Sequence, residues 1–126
     1  MLRGMRRAMA SMATEGLNLL IDDIILEPEF LDDYLHVMEG LDLYFVGVRC
    51  PAEVISKREA LRPGRFPGTA VGHLDTCHAH GIYDVEVDTS KLTPEECAKA
   101  VIDRIHKGPP QAFASLRNYA SLAIPR

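Results

Sequence analysis

Leu43, Tyr44, Phe45, Val46, Gly47 and Val48 form an unbroken apolar run, and Pro51 follows three residues later. A short run that is apolar on both alternating faces suits a strand covered on both sides, as in a parallel sheet. Proline has no N–H to lose and fits the first helical position, so a helix is expected from Pro51 onward. A strand that passes directly into a helix is the repeating unit of an α/β fold, and the rest of the chain keeps that alternation.

Residues 1–15 read as a helix ending near Gly16. Leu17 to Ile21 read as a first apolar strand, closed by Asp22-Asp23. After Glu27-Pro28, the residues Phe30, Leu31, Tyr34, Leu35 and Met38 recur at helical spacing, and Gly40 closes that helix. Residues 69–80 read as helical. Tyr83, Val85 and Val87 alternate with Asp84, Glu86 and Asp88, the pattern of a strand with one wetter face at a sheet edge. Thr93-Pro94-Glu95-Glu96 is a capping-box start with proline at the first helical position. Ala98, Val101, Ile102 and Ile105 would form the buried stripe of that helix, which Gly108-Pro109-Pro110 ends. Residues 1–107 are expected to form the domain, and 108–126 a tail with weak periodicity.

A chain of 126 residues is long enough for one domain with a sizeable core. Its net charge of −4 supplies no basic field for nucleic acid or an anionic membrane. No apolar run approaches the ~20 residues that a spanning helix needs. Cys50, Cys77 and Cys97 are widely spaced and form no paired framework, so a reducing cytoplasm is expected.

Several residues carry chemistry. Arg58 and Arg62 stand four apart, on one face of the helix that Pro51 opens, and Arg65 follows in a Gly/Pro-rich loop. Guanidinium forks so placed suit phosphate oxygens; the alternative is a solvated helix face. Asp22 and Asp23 end an apolar strand, where a carboxylate can help hold Mg²⁺ or simply start a turn. Asp88-Thr89-Ser90 follows the last strand, either as a polar turn leading to the Thr93 cap or as the lining of a base pocket. His73, Cys77 and His80 share a helical face at i, i+4 and i+7, and a zinc reading competes there with coincidence.

Taken together, Tyr44-Phe-Val-Gly-Val-Arg-Cys50, Arg58-Glu59, Arg62, Arg65 and Tyr83-Asp-Val-Glu-Val-Asp-Thr89 resemble the chloramphenicol phosphotransferase-like family, with Leu20-Ile-Asp-Asp23 fitting ahead of them. The resemblance runs over about residues 5–106, in family order. It implies a three-layer α/β fold with a parallel sheet of the P-loop kinase type, and transfer of the ATP γ-phosphate to a small-molecule hydroxyl. It also implies Mg²⁺ near Asp22 and Asp23, and a lid with Arg58, Arg62 and Arg65. By analogy with nucleotide kinases, the earlier arginine covers the adenine face and the later one meets phosphate, while Thr89 lies beside the adenine.

These residues hold no GxxxxGK[ST] loop, whose backbone N–H groups and lysine cradle phosphates in such kinases. The family's catalytic aspartate would also precede Met1. The expectation is therefore an incomplete sheet of about three strands with flanking helices, a fragment of a longer polypeptide, inactive by itself. The alternative is a short non-catalytic relative that self-associates or meets a partner through open strand edges.

Overall fold

The computed structural model describes the backbone of residues 1–64, 68 and 72–123 and, within these, all side chains except those of Asp75 and 120–123. The elements run α1 (Leu2–Thr14), α2 (Pro28–Val37), β1 (Val46–Arg49), α3 (Ala52–Ala60), α4 (Leu74–Cys77), β2 (Val85–Asp88), α5 (Pro94–His106) and α6 (Ala112–Ala123). The fold is mixed α/β with a small parallel sheet. No helix among the described residues is long and apolar enough to cross a membrane.

Local chemistry explains most of the boundaries. Gly16, at φ +97°, takes the left-handed turn that ends α1, a conformation a Cβ would oppose. Pro28 opens α2 at a position where its missing N–H costs nothing. Thr93 accepts the N–H of Glu96 at 3.1 Å and Glu96 reaches back to the Thr93 N–H at 3.3 Å, completing the expected capping box of α5. Pro51 lies one residue outside α3, as its N-cap.

The core is mostly helical. Ala10 of α1, Tyr34, Leu35 and Met38 of α2 and its cap, and Phe113 and Leu116 of α6 pack into one buried cluster. Leu43, Phe45 and Ile25 join its margin. Arg6, only 3 % exposed, enters this layer with its charge paired: its Nε meets Asp33 Oδ2 at 2.5 Å, and Arg7 meets Oδ1 at 3.0 Å. The Arg6 bond above all holds the Asp33 carboxyl below its usual range. The Arg6 guanidinium also lies over the rings of Phe30 and Tyr34, at 5.3 and 5.5 Å.

The sheet is smaller than the sequence predicts. Val46 to Arg49 pair in parallel with Val85 to Asp88, and among the described residues the sheet has two strands. Leu17 to Ile21 carry no strand pairing; Leu17 and Leu20 face solvent. Apolar character is a local property, but a strand also needs a neighbouring edge to take its N–H and C=O groups, and among the described residues no strand pairs with this run.

Two further expectations are corrected. The α5 stripe is not buried: Ile102 and Ile105 are exposed, and α5 contributes no fully buried residue. Within 69–80, residues 69–71 lie outside the described residues and the helix that remains is Leu74–Cys77. The tail, whose weak periodicity left its structure open, forms the helix α6 and places Phe113 and Leu116 in the core.

Candidate functional site

The parallel strands end side by side at Arg49 and Asp88. In open α/β sheets the carboxyl ends of the strands are where ligands bind, because the loops leaving them diverge and leave a crevice. Here Arg49, Cys50 and Pro51 from the end of β1, Asp88 from the end of β2, and Leu74 and His78 from and beside α4 line an open cleft of about 430 Å³.

Two of the sequence-predicted residues meet beside it. Arg58, in the last turn of α3, donates from Nη1 to Thr89 Oγ1 at 2.7 Å and from Nη2 to the Thr89 carbonyl at 2.9 Å. Thr89 in turn donates its N–H to the Arg49 carbonyl at 3.0 Å, extending the ladder by one bond. A planar fork holds two acceptors of one residue in a way that a lysine point charge cannot. Arg62 parts from Arg58, because α3 stops at Ala60; Arg62 stands exposed in the following turn, its backbone N–H donating to the Glu59 carbonyl at 3.0 Å. Arg65 lies outside the described residues.

The cleft wall carries residues that the sequence reading did not single out. Arg49 donates from Nε to Glu86 Oε1 at 2.5 Å and lies over the Tyr83 ring at 5.7 Å. The Tyr83 hydroxyl is hydrogen-bonded to His78 Nδ1. Burial pushes the Tyr83 phenol up to about 12, so it keeps its proton at neutral pH. Burial first, and then the Arg49 charge, pull the His78 imidazole below its usual range, while the Val48 carbonyl opposes them. The available signal for Arg49 was its place as the last residue of an apolar strand.

Asp88 Oδ1 accepts both the N–H of Ser90, at 2.8 Å, and its hydroxyl, at 2.5 Å. These bonds hold the Asp88 carboxyl below its usual range and shape the turn that presents Thr89. Asp23 is likewise occupied: its Oδ1 accepts the N–H of Ile24 at 2.8 Å and its Oδ2 the hydroxyl of Tyr34 at 2.5 Å. Asp22 is exposed.

His73, Cys77 and His80 do not assemble as ligands. No group of three or more His, Cys, Asp or Glu side chains among the described residues is placed to hold a metal. His80 stacks on Phe45 at 4.9 Å and meets Tyr83 edge-on at 4.8 Å, and Cys77 Sγ faces the Leu74 carbonyl at 3.7 Å. The three cysteines are free.

Comparison with known proteins bears on this geometry. The family model described as chloramphenicol phosphotransferase-like protein matches residues 1–106. Two curated proteins of Mycobacterium tuberculosis, from strains CDC 1551 / Oshkosh and ATCC 25618 / H37Rv, each carry the name "Putative O-phosphotransferase". Both are 36% identical to this chain over 112 residues, which is 88% of this chain and 50% of theirs. The chain thus spans about half the length of these curated relatives. No solved structure matches it significantly. With 106 of its 126 residues matched, the chain belongs to the chloramphenicol phosphotransferase-like protein family.

Proposed function

We propose that this chain forms the lid and base-side part of an ATP-dependent O-phosphotransferase of the P-loop kinase type, acting on a hydroxyl of a small molecule in the reducing cytoplasm. The observation that carries the reading is the Arg58–Thr89 clasp beside the cleft at the strand ends. It joins a lid-type arginine to the turn after β2, so that a nucleotide entering the cleft meets both. Arg58 would lie over the base or its phosphates, with Arg62 and Arg65 as further cations of the lid. Asp22 would hold Mg²⁺, whose chemistry is to neutralise charge on the transferring phosphate.

The same reading implies inactivity of the 126 residues alone. Phosphoryl transfer depends on positioning and charge stabilisation, which a backbone N–H cradle and a lysine supply, and on a base that takes the hydroxyl proton. No GxxxxGK[ST] loop occurs in this sequence.

The test is calorimetric titration of the chain with Mg²⁺-ATP, alongside radiolabelled γ-phosphate transfer to chloramphenicol and other small hydroxyl acceptors. We expect ATP binding that weakens about tenfold in Arg58→Ala, a loss of about 1.4 kcal/mol, within the range for a charged hydrogen bond. No transfer is expected. Label on an acceptor would overturn the inactivity, and binding indifferent to Arg58 would overturn the site.

A further inference from the structure

Strand register gathers charge on one face of the sheet. Gly47 pairs with Glu86 and Arg49 with Asp88, and alternate residues of a strand share a face, so Arg49, Glu86 and Asp88 stand together around bare Gly47. The Tyr83 ring fills the space where Gly47 has no Cβ, and Arg49 lies over that ring at 5.7 Å. Glu86 takes the Arg49 Nε, and the His78 bond fixes Tyr83. The guanidinium is thus held at Nε and by one flat face. Among the described residues no hydrogen bond uses its Nη1 or Nη2, and the side chain is still 43% exposed. A half-exposed ion pair adds little to stability. A ligand in the cleft that Arg49 lines gives the arrangement a use.

Charge decides the kind of ligand. Arg49 is the cation of the cleft lining, and it stands between two carboxylates, Glu86 at its Nε and Asp88 opposite it in the register. Burial keeps the His78 imidazole neutral at pH 7. An oxyanion here would meet net repulsion, since Arg58 and Lys91 lie outside the lining. A donor beside an acceptor instead suits an uncharged planar group that carries an acceptor and an N–H on one edge. Arg49 Nη1 and Nη2 are the donors. Asp88 is the acceptor: Ser90 bonds twice to its Oδ1, leaving Oδ2. Pro51 and Leu74 add apolar walls, and the open cleft of about 430 Å³ admits a flat ring against the guanidinium.

We propose that Arg49 and Asp88 form a donor–acceptor pair that selects an uncharged, planar, amide-edged group in this cleft, with Arg49 as the residue that sets specificity. A nucleobase and the carboxamide of a small acceptor molecule share that chemistry. The inference rests on the proposed function only in taking the cleft as the ligand site. It deepens that reading by dividing the labour: the flat uncharged part of the ligand meets Arg49 and Asp88, and Arg58, beyond Thr89, is left for charged oxygens. Tyr83 and Glu86 act through Arg49 as positioning residues.

The experiment is nuclear magnetic resonance titration of the full 126-residue chain, following the Arg49 Nε–H and Ser90 N–H signals. The probes are adenosine, purine riboside (the same ring without the amine), benzamide and inorganic phosphate. Adenosine or benzamide should move both signals saturably, and phosphate should leave the Arg49 signal in place. Purine riboside should bind about tenfold more weakly than adenosine, as should adenosine to Arg49→Lys and to Asp88→Asn, each losing one charged hydrogen bond. Both variants are near in size to the parent, and an unchanged thermal midpoint separates lost binding from lost fold. Tighter binding of adenosine assigns the edge to a base, and tighter binding of benzamide assigns it to an acceptor amide. A phosphate shift at Arg49 would overturn the proposal, as would adenosine binding indifferent to both variants, or no probe moving Arg49. Mg²⁺-ATP binding that depends on Arg58 while adenosine and benzamide leave Arg49 unmoved would overturn this inference and spare the nucleotide reading. The converse result would do the reverse.

Discussion

The Tyr34 hydroxyl donates to Asp23 Oδ2 at 2.5 Å, tying the segment that follows the first apolar run to the buried face of α2. Burial, and then the neighbouring Asp23 carboxylate, raise the Tyr34 phenol far above its ordinary value, so it remains a donor throughout the physiological range. Asp23 thus acts as an anchor, which separates its role from that of Asp22. Tyr34→Phe should cost about 0.5–1.5 kcal/mol, because one hydrogen bond is lost while the exposed Asp23 carboxylate can turn to water. Asp22→Asn should leave stability within about 0.5 kcal/mol of the parent. Urea denaturation of both variants checks the contrast.

Gly47 is held to glycine by a neighbour. A Cβ placed there would lie 2.7 Å from two carbons of the Tyr83 ring. That ring is fixed by the His78 bond, by Arg49 and by a tilted contact with the Phe45 ring, so it has little room to retreat. Gly47→Ala should destabilise by about 1–3 kcal/mol, the usual cost of overpacking. Combining it with Tyr83→Ala should recover part of that loss, measured as a double-mutant cycle by thermal unfolding.

Asp84 should be among the costliest polar positions to change. Its side chain is fully buried, and it accepts N–H groups from Phe45 at 2.7 Å, Gln111 at 2.7 Å and Ala112 at 3.0 Å. It therefore joins the start of β1 to the first turn of α6, where a carboxylate also suits the helix dipole. Arg104 balances the charge at 3.6 Å. Asp84→Ala should cost about 3–5 kcal/mol, since several buried donors and a cation lose their acceptor together. Far-UV circular dichroism during urea unfolding should show α6 lost first.

Stability should fall on mild acidification. Burial lowers the imidazoles of both His78 and His80, and neither ring nitrogen of His80 has a hydrogen-bond partner among the described residues. Above the unfolded value of about 6.5 both rings are neutral folded or unfolded, and the contribution is at its full value. Below it the unfolded chain takes up protons that the folded chain refuses, so stability drops until pH reaches the lowered folded values. Denaturation midpoints measured from pH 7.5 to 5 should decrease through this window. His80→Phe keeps a ring against Phe45 and should flatten the decline.

Residues near one another in sequence were the legible part. The Thr93–Glu96 box, Gly16 after α1, the α2 spacing and the alternation into β2 each rest on bonds or turns closed within about four residues. Arg58 and Thr89 were both singled out, yet only the fold shows that they touch across 31 positions. Their meeting needs β1 and β2 to lie parallel with α3 between them in the chain. Arg49, His78 and Tyr83 gave weak signals, since an arginine ending a strand or a histidine after a short helix is unremarkable until a cleft lies beside it.

The sequence by itself determined the α/β character, most helix ends, the lack of a phosphate-cradling loop within these residues, and the arginine and aspartate positions on which the proposed function is built. Only the tertiary structure decided which apolar runs are covered. Leu17 to Ile21 and the Ile102–Ile105 face read as buried elements, and both stand uncovered, while the unpromising tail supplies Phe113 and Leu116 to the core. The physical reason is that hydrophobic spacing specifies a surface suited to burial, whereas burial and strand pairing require a second surface, and that partner is set by contacts far away in sequence.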